Sequence, residues 1–267
     1  MSTAVDEITN EQILLQEVKS GVAWLTLNRP TQFNSLSAEL LHILQNTLNT
    51  LAQDDTVRVV VIGANGKAFC AGHDLKEMRS TTDREFHQQL FDQCSQVMRT
   101  INQMPQPVIA MVQGIATAGG CQLVAACDLA IASEQARLAV SGINLGLFCS
   151  TPAVPLSRNV SRKRAMKMLL TGDFIDANTA KEFGLINDVT EPENLSQATA
   201  ALAANIVAKS PLSVRLGKEM FYKQLEMGLS AAYDFAATTM VCNLENEDTR
   251  EGIDAFIEKR QPVRRGK

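Results

Sequence analysis

Two stretches of small residues in this chain present main-chain groups rather than reactive side chains. Lys67-Ala68-Phe69-Cys70-Ala71-Gly72-His73-Asp74-Leu75 follows the apolar run Arg58 to Ile62, and Gly114 to Gly120 follows the run Val108 to Val112. A loop at the C-terminal end of a buried strand is where open α/β sheets bind ligands. The second stretch also opens a helix through Ala126, whose first N–H groups lack intrahelical acceptors and lie at the positive end of the helix dipole. Glycines let a ligand carbonyl come close to such donors, and fixed donors stabilise an oxyanion without reorganising as charge develops. Taken singly, each stretch is an ordinary tight turn.

Side-chain chemistry is sparse around these loops. The only histidines are His42, His73 and His87, and the six cysteines (Cys70, Cys94, Cys121, Cys127, Cys149, Cys242) form no CxxC pair and no metal spacing with them. The expectation is buried free thiols in a reducing compartment, without a disulfide framework or metal. His73 invites a general-base reading, but a loop that works through its N–H groups needs no imidazole. No GxSxG, GxxxxGK[ST] or GxGxxG pattern is present, which argues against a serine hydrolase or nucleotide enzyme.

The elements that must position the loops are legible as periodicities. Ile13 to Val18, a Ser20-Gly21 turn and Val22 to Leu27 read as a hairpin. Ser37 caps a helix with Leu40, Leu41, Leu44, Leu48 and Leu51 on one face, and Arg58 to Ile62 is a buried strand. Gly66 to Gly72 reads as loop, Arg84 to Asn102 as a helix ended by Pro105 and Pro107, and Val108 to Val112 as a strand. Asp128 to Ala132 and Arg137 to Val140 are short strands, with Asp128 structural. Beyond residue 160 the pattern is helical: 161–171, 176–183, 195–209, 211–227, 230–244 and 248–259, the last begun by a capping box of Asp248 and Glu251. This is a layered α/β chain, with residues 1–194 as core and 195–267 as a helical region of the same compact unit.

A chain of 267 residues with 45% hydrophobic and 20% charged residues can bury a sizeable core. Net charge -4 leaves no basic footprint for nucleic acid, the cluster Lys259, Arg260, Arg264, Arg265 and Lys267 being confined to the end. Acidic Asp6, Glu7, Glu11 and Glu17 stand where a signal peptide would be basic, and no run has membrane-span length. The expected location is cytoplasmic.

Four separated strings resemble the crotonase (enoyl-CoA hydratase/isomerase) superfamily in the right order: LNRPTQFNSLS at Leu27 to Ser37, KAFCAGHDLKEM at Lys67 to Met78, GIATAGGCQLVAACDLAIAS at Gly114 to Ser133, and AFIEKRQP at Ala255 to Pro262. The resemblance implies an α/β spiral of ββα units with a C-terminal helical region that assembles homotrimers or homohexamers. It implies an acyl-CoA thioester as ligand, coenzyme A being part of the substrate and no separate cofactor being needed. By position, the oxyanion donors are the N–H groups of His73 and Gly119. Arg29, Ala68, Phe69, Ala71, Asp74 and Leu75 are expected to bind or line the coenzyme A path, and Lys259 to meet a phosphate.

The family pattern breaks where hydration needs its proton carriers. Hydratases that this chain resembles place one glutamate three residues after the oxyanion glycine and a second in a Pro-Glu-x-x-Leu-Gly string. Here those positions hold Gln122 and Gly142. An amide does not exchange protons near neutrality, and glycine has no side chain. Ordinary hydration is therefore expected to be weak or absent, and restoring both carboxylates to raise it if the loop after Gly142 accepts a side chain. Ser141, Asn144 and Cys149 are nearby polar groups expected to serve local hydrogen bonding and packing. The leading expectation is an acyl-CoA enzyme with non-standard acid–base groups; the alternative is a non-catalytic acyl-CoA binding or regulatory protein.

Overall fold

The computed structural model describes residues 12–263; Asp6, Glu7, Glu11, Arg264, Arg265 and Lys267 lie outside that range. Strands β1 (Leu14–Lys19) and β2 (Val22–Leu27) form the expected antiparallel hairpin. Its turn needs positive φ at both central residues, and Ser20 (52°) and Gly21 (77°) supply it. Helix α1 (Ala38–Ala52) begins where Ser37 Oγ accepts the Leu40 N–H, and all five inward leucines are buried. It leads into β3 (Val59–Ala64), parallel to β2.

From there the chain repeats a two-strand step. Strand β3 is followed by β4 (Ala68–Cys70), short α2 (Leu75–Arg79) and long α3 (Arg84–Gln103). Then come β5 (Val108–Val112), β6 (Ile115–Thr117), α4 (Gly119–Ala126), β7 (Leu129–Ser133) and β8 (Arg137–Ala139). The first strand of each pair enters a six-stranded sheet and the second a four-stranded one, so β3, β5 and β7 are neighbours in one, and β4, β6 and β8 in the other. Helices α5 (Ser150–Asn159) and α6 (Arg162–Thr171) are followed by β9 (Ile175–Asp176), α7 (Ala177–Phe183) and β10 (Asp188–Thr190). The last two strands close the smaller and larger sheets respectively.

Three expectations change. The stretches read as loop, 66–72 and 114–120, each contain a three-residue strand too short to show alternation. Helices α2 and α5 were not visible in the periodicity. The last helix, α11 (Glu247–Ile257), is capped by Asn246, whose side chain accepts the Asp248 N–H, instead of beginning at Asp248.

Helix α8 (Leu195–Val207) lies on the larger sheet, where Ala203 joins Val22, Val59, Val61 and Ile109 in a second apolar cluster. Helix α9 (Pro211–Gln224) is tied to the sheet by a buried cation. Lys218 Nζ reaches Asp128 Oδ2 at 2.7 Å and the carbonyls of Ile101 and Gln106 at 2.7 and 2.8 Å. Asp128 also accepts the Val108 N–H and the Tyr222 hydroxyl, which makes it the structural residue expected. Neither α9 nor α10 (Leu229–Leu244) contains a buried residue.

Candidate functional site

Parallel pairing of β4 with β6 brings the two loops together, because each leaves its strand at the same end. A Cβ on Gly72 would lie 2.9 Å from Ala118 Cβ and 3.0 Å from Gly119 N, so the loops are in direct contact. Leu36 braces the first: its N–H donates to Gly72 O at 2.8 Å, and its carbonyl accepts from Asp74 N–H at 3.3 Å. In a trans peptide C=O and N–H point opposite ways, so turning Gly72 O toward Leu36 turns the His73 N–H away from it.

The second donor is aimed by strain. Ala118 sits at φ 49°, ψ -118°, a conformation costing on the order of 1–3 kcal/mol for a residue with a Cβ, and its own N–H is held by Ala139 O at 3.0 Å. Gly119 is the first residue of α4, so its N–H has no intrahelical acceptor. Among the described turn and loop hydrogen bonds neither the His73 nor the Gly119 N–H is used. Gly120 lets α4 settle onto β4, since a Cβ there would stand 2.0 Å from Cys70 O. These residues form two adjacent, unspent, fixed donors, the geometry suited to an oxyanion.

The side chains around them are neutral and unpaired. The His73 ring packs edge-on against Phe91 (5.1 Å between centroids), with Cδ2 3.6 Å from where a Gly119 Cβ would be. Both ring nitrogens are buried without a hydrogen bond. Burial holds His73 below the ordinary imidazole value, the Leu36 main chain only partly opposing, so the ring is neutral at pH 7. Gln122, one turn beyond Gly119, is 3% exposed; its Oε1 is buried without a partner, and its amide makes no hydrogen bond.

Gly142 lies buried in a 3₁₀ turn, Ser141–Leu145. A Cβ there would be 2.6 Å from Leu147 O and 2.7 Å from Cys149 Sγ, and Leu147 N–H donates to Gly142 O at 3.0 Å. The following segment has folded back over this position, and the Cys149 thiol stands where a side chain would emerge. Position 142 therefore does not accept a glutamate by substitution alone, so the condition placed on restoring both carboxylates, that the loop after Gly142 accepts a side chain, is not met. Cys149 is buried at the N-cap of α5; burial raises its thiol above the ordinary value despite a hydrogen bond from Gly142, leaving it protonated at pH 7. Ser141 Oγ pairs with Thr117 Oγ1 at 2.7 Å, a contact between the two strand ends that no sequence pattern announced.

Of the other expected positions, Phe69 is wholly buried in the core and Ala68 nearly so, and their main chain alone can face a ligand. Ala68 O accepts from Asn34 and Gln113. Ala71 is part-buried and its N–H donates to Phe33 O, while Leu75 is exposed. Arg29 and Asp74 hold each other: the guanidinium donates to Ser35 O at 2.9 Å and lies 3.4 Å from Asp74, which also caps α2 and accepts from Ser35. Lys259, past the end of α11, is exposed, and no hydrogen bond or ion pair ties it to the 68–75 loop. Arg260 beside it is engaged by Glu251 and Glu258. Five of the six cysteines are buried free thiols as expected, but Cys242 on α10 is exposed.

The enoyl-CoA hydratase/isomerase family model matches residues 17–267. The chain belongs to that family. It is 45% identical over 245 residues to the enoyl-CoA hydratase domain-containing protein 3, mitochondrial, of Rattus norvegicus, covering 92% of this chain and 82% of that protein. Among solved structures, an enoyl-CoA hydratase from Mycobacterium smegmatis superposes with a TM-score of 0.93 at 54% identity, covering 95% and 99% of the two chains. The human enoyl-CoA hydratase domain-containing protein 3 superposes with a TM-score of 0.92 at 43% identity, covering 95% and 100%. The family's α/β spiral with C-terminal helices is thus the fold described above.

Proposed function

We propose that this protein binds an acyl-CoA thioester with the carbonyl oxygen between the N–H groups of His73 and Gly119, and stabilises the enolate or oxyanion formed there. The single observation that carries this is the pair of unspent donors on two touching loops. What accompanies them sets the chemistry. Neither Gln122 nor Gly142 can move a proton, and burial keeps His73 unprotonated and Cys149 protonated. Reactions that need only carbonyl polarisation are served by this site: in loss of CO₂ from a thioester carrying a carboxylate on Cα, the Cα–carboxylate bond breaks, its electron pair forms the enolate held by the two N–H groups, and solvent supplies the proton to Cα; water addition is not served.

Hydration of crotonyl-CoA should therefore run at least ~10²-fold slower than in a glutamate-bearing hydratase assayed beside it. Gln122→Glu with Gly142→Glu is not expected to recover it, because the second side chain must first displace the 147–149 segment. A rate near the control's would sink this reading. The second reading, a binding or regulatory protein, is favoured by the same lack of proton carriers. Assay of an acyl-CoA panel by free coenzyme A release and mass change separates the two.

A homotrimer or pair of trimers is part of the proposal. Of the apolar residues expected in excess of the core, Leu225, Leu229 and Val241 remain exposed on α9 and α10 and around their junction and Phe235 is part-buried, an apolar surface that this chain alone leaves open to water. Sedimentation should give a stable assembly at micromolar concentration, and a monomer would count against it. The free thiols fit a reducing compartment. The location printed for the relative named above as mitochondrial and the expected cytoplasmic location both satisfy that condition. No helix among the described residues is long and apolar enough to cross a membrane.

A further inference from the structure

The strained residue that aims the Gly119 N–H is clamped from outside its own loop. Ala118, at φ 49°, ψ -118°, stands near the conformation of the first central residue of a type II′ turn, about 60°, -120°, where glycine is the usual occupant. A residue with a Cβ relaxes from there toward negative φ, and any turn about ψ of Ala118 swings the next N–H, that of Gly119. The chain has to be held on both sides of Ala118. Downstream it enters α4, which Gly120 lets settle onto β4. Upstream lies β6, a strand of only three residues paired with β4 and β8.

The end of β6 is tied twice to the β8 side. The main-chain ladder finishes with the Ala118 N–H on Ala139 O at 3.0 Å, and past that last rung the hydroxyls of Thr117 and Ser141 meet at 2.7 Å. Thr117 is 9% exposed and Ser141 half-buried, so water competes little for this bridge. One hydrogen bond and the strain of one such residue are comparable in size, so loss of the bridge is enough to let Ala118 relax and the 118–119 peptide turn.

Resting on the acyl-CoA reading above, we propose that the Thr117–Ser141 hydroxyl bridge is a positioning device that holds Ala118 in its strained conformation and thereby keeps the Gly119 N–H on the thioester oxygen. Both residues act through Gly119, not on the ligand themselves.

The test is isotope-edited infrared difference spectroscopy of the full-length protein with butyryl-CoA carrying carbon-13 at the thioester carbonyl, beside calorimetric titration of the same ligand. Bound to the unaltered protein, the carbonyl stretch should move to lower frequency, because two donors polarise the bond. Thr117→Val removes the hydroxyl and keeps the shape; about half of that displacement should be lost, one donor of two having turned away. Affinity should fall by only about two- to tenfold, the range of a single neutral hydrogen bond. Ser141→Ala breaks the same bridge from the other side and should have the same effect, whereas Thr117→Ser keeps a hydroxyl and should keep the displacement. The separating variant is Thr117→Val with Ala118→Gly: glycine takes this conformation without a Cβ, so the displacement should return although the bridge is gone. A loss of stability with an unchanged carbonyl stretch in Thr117→Val or Ser141→Ala overturns the proposal, as does a displacement lost in Thr117→Ser or not regained with Ala118→Gly. Should Thr117→Val fail to fold, Ser141→Ala, at a part-buried position, gives the same reading. Failure of the thioester to bind the unaltered protein, or a bound carbonyl stretch that does not move at all, overturns the acyl-CoA reading itself, a result distinct from a displacement that the variants leave intact.

Discussion

Gly119→Val should lose acyl-CoA affinity by ~10²-fold or more while the protein stays folded, and His73→Ala should keep it. The two residues contribute the same kind of group, a main-chain N–H, but what surrounds them differs. A Cβ at 119 already meets Leu36 Cδ1 at 3.2 Å, Gly72 Cα at 3.4 Å and His73 Cδ2 at 3.6 Å. That is tight yet survivable for one atom, so the fold persists. The two further methyls of valine have to enter the space between the loops, where the thioester oxygen must sit to reach both donors. Losing one donor of an oxyanion hole costs roughly 3–4 kcal/mol in the transition state and less for a ground-state thioester, so most of the lost affinity comes from the methyls filling the oxygen's place. His73→Ala retains the N–H and the Leu36 bridge that orients it, and removes a ring that makes no hydrogen bond. Gly120 behaves differently from both, because a Cβ there would stand 2.0 Å from a main-chain carbonyl that cannot rotate aside. Titration of a non-hydrolysable acyl-CoA analogue into the folded variants, with melting curves alongside, reads these effects separately. Strong loss in His73→Ala with normal binding in Gly119→Val would reverse the assignment and make the imidazole the ligand-binding group.

How far the sequence reveals this site depends on whether a feature is local. Helix α1 is legible because it buries one periodic face, the hairpin because Ser20-Gly21 parts two runs of β-formers, and β5 because it is a short apolar run after two prolines, buried on both faces; Ser37 announces its helix by its own chemistry. The oxyanion loops are legible as glycines after apolar strands. Helix α5 is not, since Pro152 and the interior Pro155 read as turn residues, although the first turn of a helix tolerates proline and Pro152 is buried there. Position 142 was legible as a missing carboxylate but not as a filled one. That Cys149 and the Leu147 carbonyl occupy its space is a property of a loop folded back across seven residues, and only coordinates show it. The same holds for Gln122: its residue type says that no proton moves, whereas the burial of its amide oxygen without a partner is a fact of packing.

Lys218→Met should destabilise the protein by about 3–5 kcal/mol, the cost of leaving a buried carboxylate without its cation. Lys218 and Asp128 have only 7% and 13% of their side chains exposed, and the ammonium also closes the Ile101 and Gln106 carbonyls where α3 gives way to β5. Burial lowers the pKa of Lys218, and the charge of Asp128 opposes that shift, so the pair stands or falls together. Tyr222→Phe removes a single hydrogen bond to the same carboxylate, 2.8 Å long, and should cost less, about 1.5–3 kcal/mol. The effect should also reach the site. Asp128 directly follows the C-cap of α4 and accepts the first N–H of β5, so it fixes the far end of the helix whose start carries Gly119. Denaturant melts of both variants measure the first effect, and acyl-CoA titration below the melting range measures the second. Equal, small losses of stability in the two variants would mean that α9 is held by contacts other than this cluster, with the apolar face it shares with α10 the first place to look.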